Sequence, residues 1–540
     1  FFSCLLPPAS CLLAAQRPNV VIFLADDQGW GDLSIHGNSN LATPNIDSLA
    51  AEGALFERFF VCPVCAPTRA EFLTGRFYAR TGVRGVSTGQ ERLNADEITI
   101  ADTFKKAGYA TGAFGKWHNG SQHPYHPNAR GFDEYYGFTS GHWGHYFDTM
   151  IEHNGEITRG KGYITDDLTT HAMKFIEKNA EAGKPFFCYI PYNTPHSPMQ
   201  VPDKFFEKFA ENPLAMHNRD PGKEELPHVR AALAMCENID WNVGRVLGQL
   251  EQLELADDTI VVYFSDNGPN GWRWNGDMKG RKGAIDEGGV RVPFLIRWPG
   301  QIEGGTKVDR IAGAIDLLPT LADLAGVPLI SEKPLDGLSI RPLLEGNASG
   351  WPDRPIISYR PSYGRKRKGG PALSVRNQRY RLDTEGALFD LEQDPGQRTD
   401  VASRHRDIVA NLEKVGAKFN REIASEVTPD VRPFPVGEGA LTHLPARDGI
   451  EHGNTTRSAR APNCSYFTDL KTAEDTVTWD VEVTTPGTFE VLLYHSIASE
   501  NVGCEMTLDF AGSSLAYTFT QAHDPPLYGM KEDRTEGRGS

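Results

Sequence analysis

The chain of 540 residues has little that would hold it in a membrane or along a nucleic acid. After an apolar opening over residues 1–16, no stretch approaches the roughly 18 consecutive apolar positions that a spanning helix needs, so no membrane span is expected. Basic residues are outnumbered: 55 Lys and Arg face 71 Asp and Glu, a formal net charge of −16, and a surface of that sign excludes generic attraction to nucleic acid or anionic lipid. An anionic ligand must then find a local basic pocket. Cysteine is scarce, eight in all, too few to staple a chain of this length as a disulfide scaffold. The low-complexity composition of disordered, collagen-like or coiled-coil chains is missing too, since 39% of residues are apolar and 54 Gly and 36 Pro are spread throughout. What remains is a loop-rich globular chain, long enough for one large domain with smaller parts appended.

Residues 1–16 (FFSCLLPPASCLLAAQ) read as the later part of a secretory leader, apolar and ending in small residues at Ala14 and Ala15, which predicts a secreted or periplasmic protein. Cys4 and Cys11 fall in that leader, leaving Cys62, Cys65, Cys188, Cys236, Cys464 and Cys504. Cys464 and Cys504 share one region and are expected either to pair in an oxidising compartment or to stay as thiols.

Short apolar runs alternate with helical patterns, as in an α/β fold built on a largely parallel sheet. Residues 19–25 (NVVIFLA) and 259–265 (TIVVYFS) are continuous β-branched and apolar runs, the pattern of strands covered on both faces. The first stops at Asp26 and Asp27, the second at Asp266 and Asn267. A third run, 186–191, leads to His196, and a fourth, around 109–114, leads to Lys116 and His118. Ligands of open α/β sheets sit beyond the carboxyl ends of the strands, so these residues are expected along one edge. Three converging carboxylates repel one another unless a hard cation lies between them. The oxygen-rich donors suit Ca²⁺, or less well Mg²⁺, rather than zinc.

Between the first and fourth runs, Pro67 suits the first turn of a helix and Gly75 its end, placing Cys65 at a helix N-terminus, where free N–H groups favour an anion. Cys62 and Cys65 form a CxxC that could also be a redox pair or half of a zinc site. No second CxxC, no His of zinc spacing and no thioredoxin-like context supports those readings.

Cys65-Ala66-Pro67-Thr68-Arg69 followed by Leu73-Thr74-Gly75 resembles the signature of the type I sulfatases, members of the alkaline phosphatase superfamily whose Cys is oxidised to Cα-formylglycine. NVVIFLADDQGWGDL, TPNIDSLAAEG, GKWH, TPHSP, SDNGP, KGRKGAIDEGGVRVPFLIRWPG, IDLLPTLADLAG and LFDLEQDPG follow in family order, and the resemblance spans residues 17–427. Thr68 departs from the pattern, Ser being commoner there. The resemblance implies an alkaline-phosphatase-like α/β fold: a large, mostly parallel mixed sheet between helices, with a small C-terminal α+β subdomain. It also implies a sulfuric ester hydrolase matured by a formylglycine-generating enzyme. Hydrated formylglycine carries two hydroxyls on one carbon; one attacks sulfur, and the other, once deprotonated, collapses to the aldehyde and expels sulfate. Residue by residue, it implies Asp26, Asp27, Asp266 and Asn267 as calcium ligands together with the modified Cys65. Arg69 would hold the hydrate, Lys116 and Lys282 would clamp the sulfate, His118 would take the proton of the second hydroxyl, and His196 would donate to the leaving oxygen. Lys279 and Arg281 compete with Lys282, which is preferred for standing five residues before Glu287-Gly-Gly.

The expected substrate is a sulfate monoester of a carbohydrate. The alternatives are a phosphomonoester or phosphonate-ester hydrolase of the same superfold, or a carbohydrate-binding protein whose catalysis is lost. Residues 117–153 are rich in His and aromatics, suiting either a self-packed loop or a sugar-stacking wall. The basic run 360–368 suits a solvated loop or a contact with further anionic groups. Boundaries are expected after 345 and 428, with 429–445 as a linker. Residues 446–540 are expected as an appended all-β, jelly-roll-like domain, with 476–483 and 488–494 forming a hairpin through Pro486-Gly487.

Overall fold

The structure, a computed structural model, describes residues 17–360, 372–427, 430–459, 465–510, 512–525 and 534–535. Its centre is a sheet of ten strands among the described residues: β1 Asn19–Ala25, β2 Ala54–Phe56, β3 Ala110–Lys116, β4 Glu134–Phe138, β5 Met150–His153, β6 Glu156–Arg159, β7 Phe186–Pro191, β8 Thr259–Ser265, β9 Phe294–Arg297 and β10 Thr306–Val308. The spatial order is β10-β2-β9-β8-β1-β7-β3-β4-β5-β6. The central strands β8, β1, β7, β3 and β4 run parallel; β9 and β5 turn antiparallel toward the two edges.

The continuous apolar runs are explained by two separate cores. Val21, Phe23 and Ala25 of β1 enter a cluster covered by α2 (Ile164–Glu181) and α3 (Leu226–Gln252), while Val20, Ile22 and Leu24 enter the cluster on the opposite face, which includes Phe72 and Leu73 of α1 (Cys65–Thr74). Successive side chains of a strand point to opposite faces, so a strand covered on both must be apolar at every position. Helix α1 ends where expected: Gly75 has φ +67 and its N–H bonds the carbonyl of Glu71, a left-handed stop that glycine adopts without penalty.

Beyond the sheet, β11 Ile356–Arg360, β12 Ala372–Arg376, β13 Tyr380–Leu382 and β14 Leu388–Asp390 form an antiparallel sheet against α4 (Arg406–Glu426). Phe419 and Ile423 of α4 pack with Tyr78, Ala79 and Val83 of the large domain. The described part of residues 446–540 holds short strands and two 3-10 turns, and its strands pair two at a time. The expected hairpin does not form: Val481–Val483 pairs in parallel with Phe434–Val436, and 488–494 carries no strand. Its alternating pattern has no apolar surface to lie on, and Leu492 and Tyr494 are 61% and 73% exposed. The leader 1–16, Cys464 and the basic run from 361 onward lie outside the described residues.

Candidate active site

The in-register pairing of β1 with β8, Ala25 opposite Ser265, sets Asp26-Asp27 beside Asp266-Asn267 at the carboxyl edge. All four are buried. Asp27 has φ +68, a left-handed conformation that a non-glycine residue holds only when its surroundings enforce it. Here the backbone N–H of Asp27 donates to Asp266 Oδ1 (3.2 Å), and Arg273 donates to the Asp27 carbonyl (2.9 Å) while gripping Asp32 (2.6 Å).

Cations surround the carboxylates. Lys116 Nζ, at the end of β3, lies 2.6 Å from Asp26 Oδ2, and Lys282 Nζ lies 2.6 Å from Asp27 Oδ1. Arg69 donates through Nε and Nη2 to Asp266 Oδ2 (3.1 and 2.8 Å) and through Nη1 to the Lys116 carbonyl (2.6 Å). Of the three cations weighed around 279–282, Lys282 is the one that reaches these carboxylates. Lys279 pairs with Asp286 at 3.3 Å, and Arg281 donates to the Asn270 carbonyl. Lys116 has no exposed side-chain surface while that of Lys282 keeps 21%, so Lys116 lies at the floor of the site and Lys282 at its mouth.

Three oxygens in this cluster, Asp26 Oδ1, Asp27 Oδ2 and Asn267 Oδ1, are buried without a hydrogen-bond partner among the described residues. Buried acceptors left bare are costly, and oxygens of this kind are what a hard cation takes. Ligand atoms of Asp26, Cys65 and Asp266 lie within 4.8 Å of one another. The charges are strained against each other: burial and the charge of Asp26 push Asp266 up, against the pull of Arg69. Asp26 is held well below the usual carboxylate range despite its burial, by Lys116 and then His196 and Arg69. The donor set therefore fits a divalent, oxygen-preferring ion.

Cys65 opens α1 with 3% exposure. Burial pushes its thiol up, against the opposing charges of Lys116 and Lys282, so the unmodified residue is a neutral thiol rather than a nucleophilic thiolate. Cys62 is a free thiol as well, so the CxxC is not a disulfide. Thr68 uses its hydroxyl twice, donating to the Asp266 carbonyl (2.6 Å) and accepting from the Cys62 N–H (2.9 Å).

The two histidines differ in what their rings offer. His118, at φ +64, places Nε2 2.8 Å from the Val86 carbonyl; a carbonyl only accepts, so Nε2 carries the proton and Nδ1 keeps a buried lone pair without a partner among the described residues. Burial, with Lys116 adding to it, holds His118 well below its ordinary value, so the ring stays neutral. His196 spends Nδ1–H on the Ser197 carbonyl (2.6 Å) and turns Nε2 toward Asp27 Oδ2 (3.6 Å). Burial and Lys282 lower its pKa, and Asp27 opposes them.

Most aromatics of 117–153 prove to be packing: Trp117, Tyr125, Tyr135, Tyr136 and Tyr146 are buried. Besides His118, His142 of that stretch reaches the site, its ring 5.1 Å from that of His196. The Asp32–Arg273 pair was missed by sequence reasoning, because nothing in one sequence links positions 241 apart.

Residues 18–327 match the family model described as Sulfatase, and residues 281–422 match that described as N-sulphoglucosamine sulphohydrolase, C-terminal. N-acetylgalactosamine-6-sulfatase of Canis lupus familiaris is 33% identical over 382 residues, covering 64% of this chain and 69% of that protein. Arylsulfatase A of Homo sapiens is 31% identical over 456 residues, covering 73% and 85%. Among solved structures, Ps i-CgsB in complex with k-i-k-neocarrahexaose superposes with a TM-score of 0.69 at 30% identity, over 77% of this chain and 94% of that one. The chain belongs to the sulfatase family, and it is a sulfuric ester hydrolase of the alkaline phosphatase superfamily.

Proposed function

We propose that this enzyme removes sulfate from a sulfated carbohydrate, using formylglycine made from Cys65 and a bound Ca²⁺. The observation that carries the reading is the meeting, at one buried strand edge, of Cys65 with the bare oxygens of Asp26, Asp27 and Asn267 and the ammonium groups of Lys116 and Lys282. The sugar preference is supported by relatives: N-acetylgalactosamine-6-sulfatase carries a sugar in its name, and Ps i-CgsB was crystallised with a neocarrahexaose.

Asp26, Asp27, Asp266 and Asn267 would hold the metal, which when bound would polarise the sulfate group; formylglycine would supply the hydroxyl nucleophile. Every other contribution comes from side chains already in place. Arg69, fixed by Asp266 and the Lys116 carbonyl, holds residue 65 at the start of α1, where the helix N-terminus adds its own attraction for an anion. Lys116 and Lys282 neutralise sulfate oxygens from floor and mouth. His118 Nδ1, a neutral lone pair, takes a proton from residue 65. Donation to the leaving oxygen falls to His196 Nε2, whose protonated form burial and Lys282 disfavour and Asp27, 3.6 Å away, partly restores. With the leader read at 1–16, the proposal includes secretion or export to the periplasm and maturation by a formylglycine-generating enzyme.

The test is co-expression with that maturing enzyme, followed by mass measurement of the Cys65 peptide and assay against sulfated and phosphorylated sugars. The expected result is a loss of about 18 Da at Cys65 and sulfate release far above phosphate release. Cys65→Ser should retain neither. An intact thiol in the presence of a converted control sulfatase, or faster phosphate release, would overturn the reading.

A further inference from the structure

His118 is enclosed by three segments of chain. Residues 86–93 supply the Val86 carbonyl to Nε2, and the N–H of Leu93 bonds the carbonyl of Asn119 (3.1 Å). Residues 119–121 follow His118 directly. The segment around 139–141 supplies the Thr139 carbonyl to the His118 N–H (3.2 Å), and Gly141 comes close against the ring: a β-carbon there would sit 2.0 Å from Nε2, so only glycine permits the approach.

One side chain touches all three. Arg447 pairs with Glu91 (3.3 Å), donates to Ser121 Oγ (3.1 Å) and donates to Ser140 Oγ. It is 3% exposed and also pairs with its neighbour Asp448 (3.3 Å). Arg447 lies beyond both family matches, which end at residues 327 and 422. The strand of chain that delivers it is fastened to the large domain on its way: Arg432 donates to Asn94 Oδ1 (3.0 Å), Arg92 donates to the Pro433 carbonyl (2.7 Å), and His443 pairs with Glu152 (3.5 Å). Region 430–448 is therefore a strap along the rim of the site.

We propose that Arg447 is a positioning residue for the sulfatase reaction, tying together the three segments that hold the His118 ring and so fixing Nδ1 for the proton transfer assigned to it. A planar guanidinium with five fixed donors suits this task, since three acceptors from different segments must be met at once; a lysine ammonium has no such fork. The proposal rests on the role given to His118 under the proposed function.

The test compares Arg447→Met, Arg447→Lys, His118→Ala and the double variant Arg447→Met/His118→Ala in the full, matured chain. It uses a chromogenic aryl sulfate and hydrogen exchange read by mass spectrometry. Misaimed catalytic groups cost rate more than binding, so Arg447→Met should lower kcat by about 10- to 100-fold with KM within about twofold. Arg447→Lys, which keeps the charge, should fall between it and the parent. The double variant should be no slower than His118→Ala alone. Peptides covering 84–92 and 139–142 should exchange faster in Arg447→Met while those of β1 and β8 keep their protection. A full kcat in Arg447→Met, a loss that multiplies onto that of His118→Ala, or faster exchange throughout the chain would each overturn the proposal. Normal turnover by His118→Ala would instead sink the role given to His118, and the exchange data would still decide whether Arg447 holds the loops.

Discussion

The carboxyl edge of the central sheet and the region after residue 465 are built from similar material, short apolar strands ended by polar turns, yet they differ in how much else constrains them. At the sheet edge the site residues are held from several directions: the Arg69 side chain by Asp266 and a carbonyl of β3, the Asp27 backbone by Asp266 and Arg273. In the later region Glu505–Phe510 pairs with Ser513–Thr518, and Leu515 and Tyr517 of that ladder stay 54% and 47% exposed. A site of fixed geometry needs both faces of its supporting strands covered, because only packing holds strand ends in register against the repulsion of the groups they carry.

The contrast breaks most visibly at Asp266. Asp266→Ala removes an oxygen of the proposed cation site and leaves Arg69 buried without its partner, so activity should fall on the order of 10³-fold. The parent enzyme should lose activity in chelator and regain it with Ca²⁺, while the variant's residual rate should ignore both. Normal turnover by the variant in chelator would remove the cation from the account.

A packing comparison is next in size. Ile22→Ala, in the core beside α1, should cost about 2–5 kcal/mol in denaturant unfolding, whereas Leu492→Ser, in the exposed tail, should stay within about 0.5 kcal/mol. Equal costs would mean that the tail has a core of its own.

The smallest effect is one of pH. Burial pushes Glu71 of α1 up to about 8, against hydrogen bonds from Cys62 and the Tyr78 N–H, with Asp336 and Asp316 adding to the rise. A carboxyl that binds its proton more tightly folded than unfolded stabilises the fold in its protonated state. Its contribution is lost as pH climbs from the ordinary Glu range toward 8. Glu71→Gln should therefore flatten the fall of Tm over that window and raise Tm at pH 8. An unchanged slope would show that Glu71 is not the group responsible.

Much of this was legible in the residues themselves. Strands 19–25, 186–191 and 259–265 stand as their apolar runs predict, and α1 starts at Cys65 and stops at Gly75, because burial on both faces and a glycine stop leave local marks. The expected strand at 488–494 failed because alternation states a preference for a half-buried surface without supplying one. The Asp32–Arg273 grip, the bare Nδ1 of His118 and the reach of Arg447 had no local mark at all.

The sequence by itself determined the alternation of strand and helix, the residues that end each strand, and the family motif around Cys65, all of which depend on neighbours a few positions apart. Spacing from Glu287 already preferred Lys282 to Lys279 and Arg281; only the tertiary structure decided which nitrogen of His118 is left free, and that a segment after residue 430 comes back onto the chain around His118. Those outcomes depend on distances between residues tens to hundreds of positions apart, which are set when two cores close on either side of one sheet.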